Sequence, residues 1–178
     1  MQEHTFSFEV EASPEEVWRV LHPRLREPTV LRHGDVTIDI RFIGDDGGKG
    51  LVRQCEFRVP RWLLSGGVGR SWECVTECEP GVYSKYESVG KPLWSQASGW
   101  HRLTDLGSGR TRIEFGETYH AFNPLARLLL EKRVHRFISG DNDRVLREAV
   151  EQGVAARRRR DSDRREQASQ ASQAGEHA

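Results

Sequence analysis

Cysteine is scarce in this chain, and the three that occur, Cys55, Cys74 and Cys78, form no C-x-x-C pair. An odd, scattered set excludes a disulfide framework and a standard zinc site, and its reading is of buried small hydrophobes. No apolar run approaches the ~18 residues of a membrane span. Met1-Gln2-Glu3-His4 has neither a basic n-region nor an apolar h-region, so the expectation is a soluble, unexported, cytoplasmic chain. An excess of one charge is lacking too, since 27 Lys and Arg balance 27 Asp and Glu. The segment after Val154 holds six arginines and four acids and leaves 21 basic against 23 acidic residues in the body, a poor balance for general nucleic-acid binding. There is no G-x-S-x-G, no H-E-x-x-H and no phosphate-cradling loop, because Gly66-Gly67-Val68-Gly69 lacks the lysine and helix that would follow. Neither a metal nor a cofactor is indicated.

Apolar side chains other than alanine are absent after Val154, where Arg157–Arg160 is followed by alternating charges and a Gln/Ala/Ser run. Such a segment cannot bury enough surface to offset its ordering entropy. The division is therefore a folded domain at 1–154 and a charged, low-complexity tail at 155–178, with the tail outside the fold.

What the body does contain is alternation. Phe6, Phe8 and Val10 face one way from a half-buried strand. Ser13-Pro14-Glu15-Glu16 then opens a helix with a capping box and a proline at the first position. Pro23 ends it, and Arg24 to Arg32 reads as a second short helix or irregular turn, closed by Gly34. From Asp35 the period is two, with an emphatic turn at Gly44–Gly48. Strands follow at about 51–59, 69–79, 82–90, 95–105 and 111–120. Their short connections make hairpins, so six strands form an antiparallel meander. Asn123 and Pro124 open a last long helix to about Gly153. Leu125, Leu128, Leu129, Val134, Ile138, Val145, Leu146 and Ala149 give it one apolar stripe, which needs the sheet as partner.

This order of elements, with "FSFEVEASPEEVWRVL", "VTECEPGVY", "GSGRTRIEF" and "NDRVLREAVEQG" as its carriers, resembles the Bet v 1/START-like superfamily of helix-grip proteins. Over residues about 3–153 it is most similar to the bacterial polyketide cyclase/dehydrase and lipid-transport branch, SRPBCC. The resemblance implies an α+β fold in which a curved seven-stranded antiparallel sheet wraps around the C-terminal helix, with two short helices between strands 1 and 2. It also implies a ligand cavity between sheet and helix. One departure is visible: "LREPTVLRHG" stands where the family often shows a Tyr-Pro-x-Trp-like segment, which implies a shorter or differently placed second helix.

Polar groups pointing into an apolar cavity are the candidates for chemistry. If Leu103 opposes Ile113, then His101 opposes Phe115 and points inward with Glu117 and Tyr119. Arg53 shares the face of Phe57. Arg53, His101 and Glu117 thus converge as a set able to orient a polar head group or move a proton. Two ligands do not make a metal site, and His101 with Glu117 lacks a third. Phe57, Trp72, Tyr86, Phe115, Tyr119 and Ile138 are the expected cavity walls. Trp62, Leu64 and Trp94 lie on loops at one end of the meander, where clustered apolar groups mark a mouth, a lid or a contact with a membrane or partner.

Three functions compete on this reading. The first is binding or transport of a hydrophobic small molecule, a lipid, isoprenoid or aromatic polyketide. The second is a cyclase or dehydratase using Arg53, His101 and Glu117, and the third an interaction module acting through the tail. The sequence leaves the oligomeric state open.

Overall fold

A computed structural model describes residues 1–23, 29–42, 44, 48–63, 65–91 and 93–175. The first strand, β1 (Gln2–Val10), leads into α1 (Pro14–Leu21), whose start follows from local chemistry. The Ser13 hydroxyl accepts from the Glu16 amide at 3.3 Å while the Glu16 carboxylate accepts from the Ser13 amide at 2.9 Å. This reciprocal cap satisfies two amides that the first turn leaves without partners.

Among the described residues the expected second helix after α1 is not found. Its first half, residues 24–28, lies outside the described residues. Its second half is a strand, β2 (Thr29–His33), paired antiparallel with β3 (Val36–Phe42) around Gly34. Gly34 has φ +53°, a conformation that a side chain would oppose. Thr29, Val30 and Leu31 are a β-branched and apolar run, which favours pairing to an open sheet edge over a capless helix. The other strands are β4 (Val52–Arg58), β5 (Val68–Glu79), β6 (Tyr83–Lys91), β7 (Ser95–Gly107) and β8 (Arg110–Ala121), with a 3-10 turn at Arg61–Leu63. The Gly44–Gly48 turn is described only at its two ends.

The sheet therefore has eight strands where seven are expected, in the order β1-β8-β7-β6-β5-β4-β3-β2. Leu103 does pair with Ile113 and His101 with Phe115, the register anticipated from the hairpin.

The last helix differs from expectation at both ends. It breaks at Leu130 into α2 (Pro124–Leu129) and α3 (Glu131–Gly175). Glu131 is the cause, since its buried carboxylate accepts from the Ala121 amide at 2.7 Å and from the Gln2 side chain at 3.2 Å, pinning the start of α3 to the sheet. Leu125, Leu128 and Leu129, assigned to the core-facing stripe, are instead exposed on α2. Nor does the helix stop at Gly153. That glycine sits inside α3 where Val20 of α1 comes so close that a Cβ would collide with it. The helix runs on through the charged segment to Gly175, and the first of its arginines reach back to α1. Arg157 donates to the Arg19 carbonyl at 2.7 Å, and Arg158 to the Glu16 carboxylate and the Glu11 carbonyl, both at 2.8 Å.

Two apolar clusters join helices to sheet. Phe8, Ala12, Val17, Leu103, Ile113, Val150 and Val154 form one, with Leu146 against it. Val59, Leu63 and Val134 form the other, with Phe57, Leu93, Leu130 and Ile138. Of the cysteines, Cys55 is buried as expected and Cys74 is exposed.

Candidate functional site

Both clusters contribute side chains to a cavity of about 1770 Å³ between the concave face of the sheet and α3. Strand alternation decides its lining. Arg53, Cys55 and Phe57 of β4, Ser71, Glu73 and Val75 of β5, Ser84, Tyr86 and Ser88 of β6, and Phe115, Glu117 and Tyr119 of β8 all point inward. The walls are mixed, with Ile38, Ile40, Val145 and Leu146 facing serines and charged groups.

The three groups expected to form one cluster share this cavity but have separate partners. Among the described residues, none of Arg53, His101 and Glu117 is hydrogen-bonded to another. Arg53 pairs with Glu73, which lies directly across from it on β5, at 2.8 Å. The Ser71 hydroxyl donates to the second oxygen of Glu73 at 2.9 Å. The Arg53 guanidinium also lies 5.4 Å from the centre of the Tyr86 ring. Tyr86 can occupy that place because its partner on β7 is Gly99, where a Cβ would overlap the phenol. Burial pushes the Tyr86 hydroxyl well above its ordinary pKa.

His101 meets His22, which follows α1, with the two Nε2 atoms 2.9 Å apart. The Trp18 indole stacks on His22 at 4.0 Å between ring centres. A contact of this kind requires one Nε2–H and one bare nitrogen, so the two rings are not both charged. Burial, and then the Arg53 charge, hold His22 down to about 4. His101 is pushed down to about 3 by burial, then by His22 and Arg53.

Glu117 is held from the helix side. The Ser139 hydroxyl donates to one oxygen, Asn142 Nδ2 donates to the other at 3.2 Å, and His135 Nε2 lies 3.7 Å away. Burial lowers the pKa of His135 although Glu117 favours its charge. His135, Ser139 and Asn142 follow each other at intervals of four and three, which puts them on one face of α3 beside Val134 and Ile138. Sequence reading missed this polar stripe by following only the apolar one. His22 and Glu73 were missed as well. Glu73 was within reach, because it is the residue between the two inward neighbours Ser71 and Val75.

Phe57, Tyr86, Phe115, Tyr119 and Ile138 line the cavity as expected. Trp72 does not. It is 51% exposed on the convex face, in a shallow depression with Val52 and Val89. Serine and glutamate occupy its strand's inward positions, so a rule that turns apolar groups inward picks the wrong face there. Trp62 and Trp94, 51% and 56% exposed, also stand outside the lining, and Leu64 lies outside the described residues. The apolar rim is thus an outer surface and not the cavity wall. The lining reaches Gly90, Lys91 and Ser95 beneath that rim, Gly48, Pro80 and Gly81 at the opposite end, and Trp18, Arg32 and Arg157. Among the described residues no group of three or more His, Cys, Asp or Glu is placed to hold a metal ion.

Solved structures share this architecture. A conserved protein from Geobacillus kaustophilus superposes with a TM-score of 0.55 at 15% identity, over 87% of this chain and 96% of its own. Ara h 8.0201 gives 0.55 at 18% identity over 87% and 99%. The di-domain ARO/CYC BexL of the BE-7585A biosynthetic pathway gives 0.58 at 17% identity, over 87% of this chain and 47% of that one. At such identities the likeness is one of fold, the Bet v 1-like helix grip. No curated protein matches the sequence. Residues 1–152 match the family described as polyketide cyclase/dehydrase and lipid transport, and with a match of that extent over this fold and cavity the chain belongs to that family.

Proposed function

We propose that the protein binds and carries a small amphipathic molecule, its apolar body along the aliphatic and aromatic walls and its polar end at the Arg53/Glu73 and His101/Glu117 positions. The family and the fold support binding of a hydrophobic ligand in general. The single observation that carries the finer reading is the composition of the cavity wall: about 1770 Å³ of space has Ile38, Ile40, Phe57 and Ile138 on its surface together with Arg53, His101 and Glu117. A wholly apolar ligand would leave those buried polar groups with nothing to replace water, which costs free energy. A lipid, isoprenoid or aromatic polyketide bearing a carboxylate, hydroxyl or carbonyl satisfies both kinds of wall.

Cyclase or dehydratase activity is the second reading. It is favoured by the placement of His101 and Glu117 on one cavity and by the aromatase/cyclase description of a neighbour of this fold. Against it stands basicity. A general base works best with a pKa near the operating pH, and His22 and His101 are held far below that by burial. Arg53 is already neutralised by Glu73.

Native mass spectrometry of the purified protein, followed by solvent extraction, tests the proposal. The expected result is a bound species with an apolar body and one polar end, released unchanged. A substrate and product pair, interconverted by the protein, supports the enzyme instead. Protein that is empty and that takes up no fluorescent fatty-acid analogue overturns the binding reading.

A further inference from the structure

We infer that the end of the molecule formed by α2, the 3-10 turn and the β6–β7 loop docks on an anionic membrane surface. The argument begins with α2, six residues whose Leu125, Leu128 and Leu129 are 65%, 81% and 59% exposed. A helix this short is not stable by itself. It is held in place by the Asn123 side chain, which accepts from the Leu125 and Ala126 amides, and by Arg127, which donates to the Ala121 and Phe122 carbonyls. The fold thus fixes these leucines outward although the core lies one turn away at Leu130 and Val134.

Other apolar groups join them. Phe122 and Trp94 are exposed and linked through the Phe122 amide and the Trp94 carbonyl at 2.9 Å. Trp94 has φ +45°, which a bulky residue rarely adopts, and its ring carries the Lys91 ammonium 4.9 Å from its centre. Trp62 is exposed beside Leu63, whose own side chain packs with Leu93 and Leu130.

Charge distinguishes the occupant. Arg61, Lys91, Arg127, Lys132, Arg133 and Arg136 are all exposed around this patch. Among the described residues none of the six pairs with a carboxylate; exposed cations such as Arg32, Arg102 and Arg147 elsewhere are likewise outside ion pairs, and what marks this end is that unpaired cations and exposed leucines stand together. Glu131 is the only acid between Ala121 and Phe137, and it is buried. Apolar side chains ringed by unpaired cations complement acyl chains beneath anionic headgroups. A protein partner would need shaped contact around each anchor, and Leu128 at 81% exposure has almost no neighbouring surface to frame one. A fluid acyl phase needs no such frame.

This inference stands on the surface and is independent of what the cavity holds. The test is sedimentation of the full chain with vesicles of phosphatidylcholine alone or of phosphatidylcholine with phosphatidylserine. Binding is expected to the second, weakly or not at all to the first, and to fall as salt is raised. Each cation near such a surface contributes about fivefold, so a Lys132→Ala/Arg133→Ala variant should bind roughly twenty-five-fold more weakly. Leu125→Asp with Leu128→Asp should abolish binding while the circular dichroism spectrum and thermal midpoint stay unchanged, since both side chains are exposed. Failure to bind either vesicle overturns the inference, including the case in which the leucine variants change self-association instead. Binding that both variants leave intact overturns it as well.

Discussion

His22 and His101 share a single proton position, their Nε2 atoms lying 2.9 Å apart beneath the Trp18 ring. In the unfolded chain both titrate near 6.5, but folding lowers them to about 4 and about 3. Below 6.5 the unfolded chain therefore binds more protons than the folded one. The stability contributed by the neutral pair is fully present above about pH 6.5 and is lost as pH falls toward 4 and 3. Urea titrations at about pH 7 and about pH 5 should show the midpoint falling. His22→Phe keeps an aromatic ring against Trp18 and removes one titrating group, so its loss should be roughly half as large. Identical pH dependence in the two proteins would show that the pair is not what titrates.

Glu117 separates a structural role from a binding one. Glu117→Gln keeps an acceptor for the Ser139 hydroxyl and should change stability by less than about 1 kcal/mol. Ligand affinity should shift several-fold, because the charge facing the cavity is gone. Glu117→Leu leaves the Ser139 and Asn142 donors unsatisfied, at a cost of about 1–3 kcal/mol in denaturant titration. A Gln variant with unchanged affinity and a large loss of stability would mark the network as purely structural.

Gly99 controls the cavity through Tyr86. A methyl group at this position would overlap the phenol, so Gly99→Ala should displace the ring from Arg53 and destabilise the fold by about 1–3 kcal/mol, as overpacking does. The coupled variant Gly99→Ala/Tyr86→Leu should recover part of that loss. No recovery would mean that Tyr86 is not the group in the way.

Leu146 is half-buried, with one side on the Phe8 and Val17 cluster and the other on the cavity. Truncation to alanine should cost about 2 kcal/mol, at the low end for a leucine because the cavity already stands beside it. An unchanged urea midpoint would show that this face of α3 does not hold the sheet.

The arginine run has two parts. Arg158, with the Ser13 cap, holds Glu16 down to about 2, so Arg158→Ala should raise the Glu16 pKa, measurable by NMR titration. The sign follows: the Glu16 contribution is present above its ordinary value of 4.5 and lost as pH falls toward 2. Since the Arg158 and Glu16 side chains are 53% and 36% exposed and water screens the pair, the variant should cost about 1 kcal/mol or less in unfolding free energy. Truncation after Arg160 should leave the thermal midpoint unchanged, since residues 161–170 are exposed and no apolar side chain larger than alanine is removed. A marked fall on that truncation would place the rest of the helix in the fold, and loss of a partner without loss of stability would support the interaction role of the tail.

Local chemistry is what the sequence by itself determined. Ser13 and Glu16 cap a helix wherever they stand three apart, and a period of two across Val36–Phe42 or Ile113–Tyr119 makes a strand with a defined inward set. Hairpin register follows from a short turn, which is why the sequence alone places His101 opposite Phe115. Tertiary structure decided the rest, because each remaining question compares two environments for the same residues. Thr29–His33 became a strand since β3 offered an unpaired edge. The last helix broke at Leu130 because Glu131 found two donors on the sheet, and Leu125, Leu128 and Leu129 were turned outward in consequence. Trp72 faces solvent because Ser71 and Glu73 found partners inside. Arg53, His101 and Glu117 were legible as inward groups from alternation alone. Their partners, Glu73, His22 and Ser139, lie on other elements, and only packing brings those elements within hydrogen-bond reach.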